Sequence, residues 1–241
     1  MILVFIGFIP VITEKGVAAD QSTVVISEVL QKPVIYQYPA LFPVAKGILL
    51  ILFIAPVIWK NKFRKYYLYM IIGLTAIIAV FQNISLETRF GYSVLTGNII
   101  IQIIVVLSFV YELKVNQLDF SKLHMRWWNI VLLFIAFFAF YMPHKDGKMY
   151  FSFSDIILNE ACVTYCMITP VILSCLLMYY PSVNQVTLRV MSFAGLYFGI
   201  LNMITWFVLN TDFWWMGILH LPLMIISLVA FLLSFMVKTR T

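Results

Sequence analysis

ALFPVAKGILLILFIAPVIW, residues Ala40–Trp59, runs straight into KNKFRK, Lys60–Lys65, and a second apolar run begins at Tyr66. A helix of about twenty apolar residues crosses the ~30 Å hydrocarbon core of a bilayer. A cluster of lysine and arginine at its end marks a flank held on the cytoplasmic side. Outward from this junction the same pattern recurs, with apolar runs at Ala40–Trp59, Tyr66–Ser85, Tyr92–Glu112, Trp127–Pro143, Asp155–Pro181, Leu188–Leu209 and Phe213–Met236. Hydrophobic residues are 63% of the chain and charged residues 11%, where a soluble domain carries about half and a quarter. The expected fold class is therefore all-α: a polytopic integral membrane bundle of seven transmembrane helices.

Charge orients the bundle. Lys60, Lys62, Arg64 and Lys65 lie between the first two runs, Lys114, Lys122 and Arg126 between the third and fourth, Arg189 after the fifth, and Lys238 and Arg240 in the tail. Only two acids, Glu112 and Asp119, accompany these ten cations. The opposite side carries Lys15, Lys32, Lys46, Arg89, Lys145 and Lys148 against Glu14, Asp20, Glu28, Glu87, Asp146, Asp155, Glu160 and Asp212. No run has to be inverted, so the N-terminus is expected outside and the C-terminus in the cytoplasm. The net charge of +6 is then a property of helix flanks facing anionic lipid, not a nucleic-acid footprint. Trp59, Trp127, Trp128, Tyr179 and Tyr180 at inner ends, with Tyr141, Trp206, Trp214 and Trp215 at outer ends, form matching aromatic belts. The expected location is the cytoplasmic membrane of a prokaryote.

Residues 1–19 read either as a signal peptide, with small residues at Val17-Ala18-Ala19, or as an uncleaved interfacial segment; no positive n-region precedes the apolar stretch. Residues 20–39 are expected to be a short exported arm, and 40–241 the seven-helix transmembrane domain. Cys162, Cys166 and Cys175 share the fifth run. A helical turn separates the first two, a spacing ill suited to a disulfide, and small buried thiols account for them better than metal ligation.

Polar groups inside hydrocarbon cost about 2.5–3.5 kcal/mol each on insertion scales, so they face the bundle interior. Lys46, Asn98, Gln102, Glu160 (with Asn159), Asn202 and His220 lie at a similar depth, about 8–12 Å inside the outer boundary. Stripes of small and polar residues accompany them: Asn159, Cys162, Cys166 and Thr169; Ser192, Gly195, Gly199 and Asn202; Gly217, His220, Ser227 and Ser234. One reading is helix-to-helix glue, with Gly195-x-x-x-Gly199 as a close-approach pattern. The other is an outward-facing pocket in which Lys46 and Glu160 pair, His220 titrates and the amides orient a ligand. Pro170 and Pro222 each free a backbone carbonyl, either as plain kinks or as cavity-lining breaks. Leu86-Glu87-Thr88-Arg89-Phe90 and Leu209-Asn210-Thr211-Asp212-Phe213 share Leu, Thr and Phe at equal spacing, suggesting that runs one to three repeat as five to seven.

Several chemistries are excluded. A retinal protein needs a lysine in its last span, and Phe213–Met236 has none. His124 and His144 fall at opposite surfaces, which leaves no histidine pair for haem. No metalloprotease His-Glu-x-x-His, nucleophile elbow or phosphate-binding glycine loop occurs. No catalytic residue, metal or cofactor is therefore expected, and Glu112 reads as an interfacial residue. The functional expectation is small-solute binding or transport, with Lys46, Asn98, Gln102, Glu160, Asn202 and His220 binding the substrate. Its alternatives are a non-catalytic accessory, assembly or immunity-type subunit bound to a membrane protein partner, and an intramembrane enzyme acting on a lipid or quinone. The lipid bilayer is the expected partner in every case.

Overall fold

The computed structural model describes residues 6, 7, 9–145 and 148–236. Lys238, Arg240, Asp146 and residues 1–5 and 8 of the N-terminal segment lie outside the described residues. After a short helix α1 (Ser22–Gln31), the bundle is built from α2 (Leu41–Trp59), α3 (Arg64–Phe81), α4 (Thr96–Val115), α5 (Trp127–Tyr141), α6 (Tyr165–Leu177), α7 (Gln185–Ile204) and α8 (Trp214–Met236). Among the described residues five helices are long and apolar enough to cross a membrane, and a sixth span results if the bent run Asp155–Leu177 counts as one. The chain is thus an all-helical protein with helices of membrane-spanning length; α5, with 15 residues, is apolar but short.

The fifth apolar run does not form one helix. A single turn, Asp155–Leu158, and a 3-10 turn, Glu160–Val163, meet α6 at an angle of 100°. The break does not sit at Pro170 or Pro222, since α6 and α8 continue through those residues. It falls instead at Asn159 and Thr164, both extended. Each side chain offers its own backbone an alternative to helix: Asn159 Oδ1 accepts from Ala161 N–H at 3.3 Å, and Thr164 Oγ1 donates to the Ala161 carbonyl at 2.8 Å.

Beyond the break, α6 is the central column. Every residue from Met167 to Leu177 is buried, and α6 touches α2, α3, α5, α7 and α8. A helix apolar on all sides belongs in the middle of a bundle. Against it, α7 and α8 approach closely through small residues. A Cβ on Gly195 would stand 2.3 Å from Ser227 Oγ, and one on Gly199 3.0 Å from Met224 Cα, so only glycine permits this spacing.

Strands are confined to one end. β2 (Ile84–Thr88) and β3 (Gly91–Val94) form an antiparallel hairpin, and β1 (Ile12–Thr13) adds to β3 with Ile12 opposite Val94. Gly91 turns the hairpin at φ +75, and Glu14 Oε2 accepts the following Tyr92 N–H at 3.1 Å. α1 rests on this sheet and buries Val25 and Val29 with Phe90 and Leu95. The helices flanking the hairpin therefore end at Phe81 and begin at Thr96, inside the apolar runs that contain them. Leu86–Phe90 forms the hairpin tip, whereas Leu209–Phe213 closes α7 with a π turn and a 3-10 turn, so the two matched segments differ in backbone structure.

The basic links gather at the other end. Asn61 Nδ2 donates to Asp119 Oδ1 at 2.7 Å, and Asn61 Oδ1 accepts from Phe120 N–H at 2.6 Å. Asp119 N–H and His124 N–H donate to Ser182 and Met178 carbonyls at 2.9 and 2.8 Å. Phe120 lies edge-on between Tyr67 and Tyr179, with both ring centroids 4.8 Å away. The Ser121 hydroxyl, the Asn61 amide and the Ser121 N–H hold the Asp119 carboxyl well below the usual carboxylate range. A depressed carboxyl stabilises the fold above its unfolded value near about 3.9 and loses that contribution as pH falls towards its folded value. Asp119→Asn should accordingly lower the melting temperature of the detergent-solubilised protein at neutral pH. Melting curves at descending pH should show the gap to the parent closing below about pH 4.

Candidate functional site

Lys46 and Glu160 meet where the bent run packs on α2. Lys46, in the first turns of α2, is 1% exposed. Its ammonium donates to the Asp155 carbonyl and lies 5.1 Å from the centre of the Phe140 ring. The short hydrogen bond and the ring quadrupole together replace water around the cation. Glu160 begins the 3-10 turn, with its side chain 28% exposed, and Oε1 lies 3.8 Å from His144 Nδ1. Lys46 and Glu160 are neighbours with different partners: a backbone carbonyl for the first, His144 for the second. The His144 ring in turn stacks on Trp215 at 5.5 Å, linking the cluster to α8.

Asn159 holds the loop between α5 and the break. Its Nδ2 donates to the Tyr141 and Met142 carbonyls at 2.7 and 3.0 Å. These carbonyls lie at the C-terminus of α5, where no following turn supplies donors. Gln82, past the end of α3, does the complementary service at α6, where its Oε1 accepts Tyr165 N–H at 2.8 Å. Tyr36, on the turn Val34–Gln37, lies against this cluster, and burial, then the charge of Glu160, pushes its phenol above the ordinary range.

Asn202 connects indirectly. Its Nδ2 is 3.8 Å from Cys166 Sγ and donates to Phe198 O at 2.8 Å, while Trp206 Nε1 donates to its Oδ1 at 3.2 Å. Gln102 is buried in α4 with its Oε1 unpartnered, and Asn98 lies half-buried one turn earlier. His220 is buried in α8, where Nδ1 donates to the Met216 carbonyl of its own helix at 2.8 Å. Lys46 and Glu160 thus share one neighbourhood with Asn159, His144 and Tyr36. Asn202 approaches it through Cys166, His220 bonds its own helix, and no hydrogen bond joins Gln102 or Asn98 to it among the described residues.

Sequence reasoning missed His144, Gln82 and Tyr36. Each lies outside the apolar runs or at their edge, and nothing in its spacing announces a partner 16 to 124 positions away. Glu112, read as interfacial, is buried: Oε1 accepts Leu118 N–H and Oε2 accepts Asn184 Nδ2, each at 2.6 Å. Asn184 also caps α7, accepting from Val186 and Thr187 N–H groups at 2.8 and 3.2 Å. An open cleft of about 280 Å³ lies away from all these residues, lined by Glu28, Gln31, Lys32 and Arg89. Among the described residues, no group of three or more His, Cys, Asp or Glu side chains is placed to hold a metal ion.

Comparison of the chain with protein-family models, with curated proteins and with solved structures found no match.

The cluster makes a stability test available. Asn159→Leu leaves the Tyr141 and Met142 carbonyls without their amide donor in a buried setting, a loss of about 1–3 kcal/mol. Thermal unfolding in detergent should show a lower midpoint than that of the parent, and a smaller drop for Asn98→Leu, whose side chain makes none of these bonds.

Proposed function

We propose that this chain is a seven-span protein of a prokaryotic cytoplasmic membrane, N-terminus outside, that binds a small solute at its outer end. The carrying observation is the partly exposed Glu160 carboxylate facing His144 at the helix break, with the buried Lys46 ammonium behind it. A carboxylate and an imidazole at one mouth can exchange a proton or hold a charged group, and irregular backbone beside them adds polar atoms. The unpartnered Gln102 Oε1 and the amides of Asn202 and Asn98 supply further hydrogen-bonding groups for orienting a ligand. His220 would gate access by protonation. The seven-span reading adds α5 to the longer helices, and the gathering of three basic links at one end suits that count.

A second reading has its own support. Lys46, Asn159 and Asn202 already donate to carbonyls of the chain, as expected of a packed accessory subunit that binds partner helices rather than solutes. Impermeant thiol labelling of intact cells tests the topology, with Arg89→Cys expected to react and Lys62→Cys protected until the cells are opened. Glu160→Gln then separates the two functions. Solute binding predicts a chain as abundant and heat-stable as the parent with thermal stabilisation by its ligand abolished in a solute screen. The subunit reading predicts instead a stoichiometric protein recovered with the parent in mild detergent.

A further inference from the structure

The connection between α5 and α6 joins two short helices. α5 has 15 residues and α6 has 13, giving about 22 and 20 Å, whereas the hydrocarbon core needs ~30 Å. Their inner ends are level, because Asn129 Nδ2 near the start of α5 donates to Leu177 O at the end of α6, at 3.1 Å. α5 and α6 are therefore about 8 and 10 Å shorter than the 20-residue α4, which is long enough to reach the outer plane of the core. The intervening residues 142–164 begin and end inside that plane.

Irregular backbone at such depth is tolerated only where its polar groups find protein partners. Here they do. Lys46 donates to Asp155 O and Asn159 to Tyr141 and Met142 O. The Tyr141 hydroxyl donates to Ser152 O at 3.1 Å, and Tyr150 N–H to Pro143 O at 3.3 Å. Gln82 takes the first N–H of α6. The serines turn to each other, Ser152 Oγ to Ser154 Oγ at 2.7 Å. The residues alternating with them turn outward: Phe153 is 92% exposed, and Phe151, Ile157 and Leu158 are exposed too.

We propose that residues 149–158 form a re-entrant wedge whose Phe151, Phe153, Ile157 and Leu158 side chains insert into the acyl chains of the outer leaflet, that Lys46 and the Tyr141 hydroxyl satisfy its backbone at Asp155 and Ser152, and that Asn159 and Gln82 secure the helix ends on either side of it. Lipid is the occupant because the short helices place the wedge at hydrocarbon depth, contiguous with the lipid-facing surface of α5. The proposal rests on α5 crossing the membrane and needs no solute.

The test is nitroxide accessibility in phosphatidylcholine–phosphatidylglycerol vesicles, with labels at Phe153→Cys and, independently, Phe151→Cys. Phe134→Cys, at a lipid-facing position in mid-α5 that is 77% exposed, and Lys62→Cys in the basic link are references, and the parent with its three native cysteines gives the background. Both wedge labels should collide with oxygen relative to a water-soluble nickel chelate several-fold more often than the Lys62 label, approaching the Phe134 ratio. A ratio equal to that at Lys62 overturns the wedge, and so does protection from both reagents, which would mean a protein cover. Loss of the oxygen preference at Phe134 itself would instead overturn the seven-span reading, so the two failures are distinct.

Discussion

A backbone amide or carbonyl inside a bilayer has no water to turn to, and the arrangement of this protein follows from where that rule is strained. Seven of its helices satisfy themselves internally over most of their length. The segment between α5 and α6 does not, and the polar side chains of the outer half collect around it. Lys46, from α2, ends on a main-chain atom of this segment, and Asn159 and Gln82 end on the main chain at its two flanks, the last residue of α5 and the first of α6. The break in turn allows α6 to stand at the centre of the bundle, with the other helices packed round it.

The inner end is held together by a different balance. Three links carrying many cations come together, although like charges in proximity repel. Hydrogen bonds from Asn61 and Ser121 to Asp119, the edge-on ring series Tyr67–Phe120–Tyr179, and the buried Glu112–Asn184 pair give these links neutral and acidic contacts. The side chains of Lys60, Lys62, Lys65, Lys114 and Lys122 remain exposed. The two acids among the ten cations of that side are therefore structural pins: Glu112 ties α4 to α7, and Asp119 ties one link to the next.

Local pattern was a sound guide wherever one element decides its own state. Apolar length located α2, α3, α4, α5, α7 and α8 to within a few residues, and the glycines of Gly195-x-x-x-Gly199 lie where two helices touch. Hydropathy failed at two places, for the same reason. Ile84 and Ser85, residues 92–94 and residues 159–164 fall inside the apolar runs, yet the first two belong to a strand pair turned at Gly91 and the last holds Asn and Thr that compete with helix bonding. A sum over twenty residues is blind to backbone angle.

The sequence by itself determined that this is a membrane protein of long apolar helices, which of its links are basic, and which polar residues have to be sheltered. These are properties of composition and period, and each residue contributes to them without knowing its neighbours in space. Only the tertiary structure decided the partners: Lys46 to a carbonyl in place of Glu160, Glu160 to His144, His220 to its own helix. A buried ammonium is satisfied equally by a carboxylate or by a backbone oxygen, and which it meets depends on where a break 109 residues away places its free carbonyl.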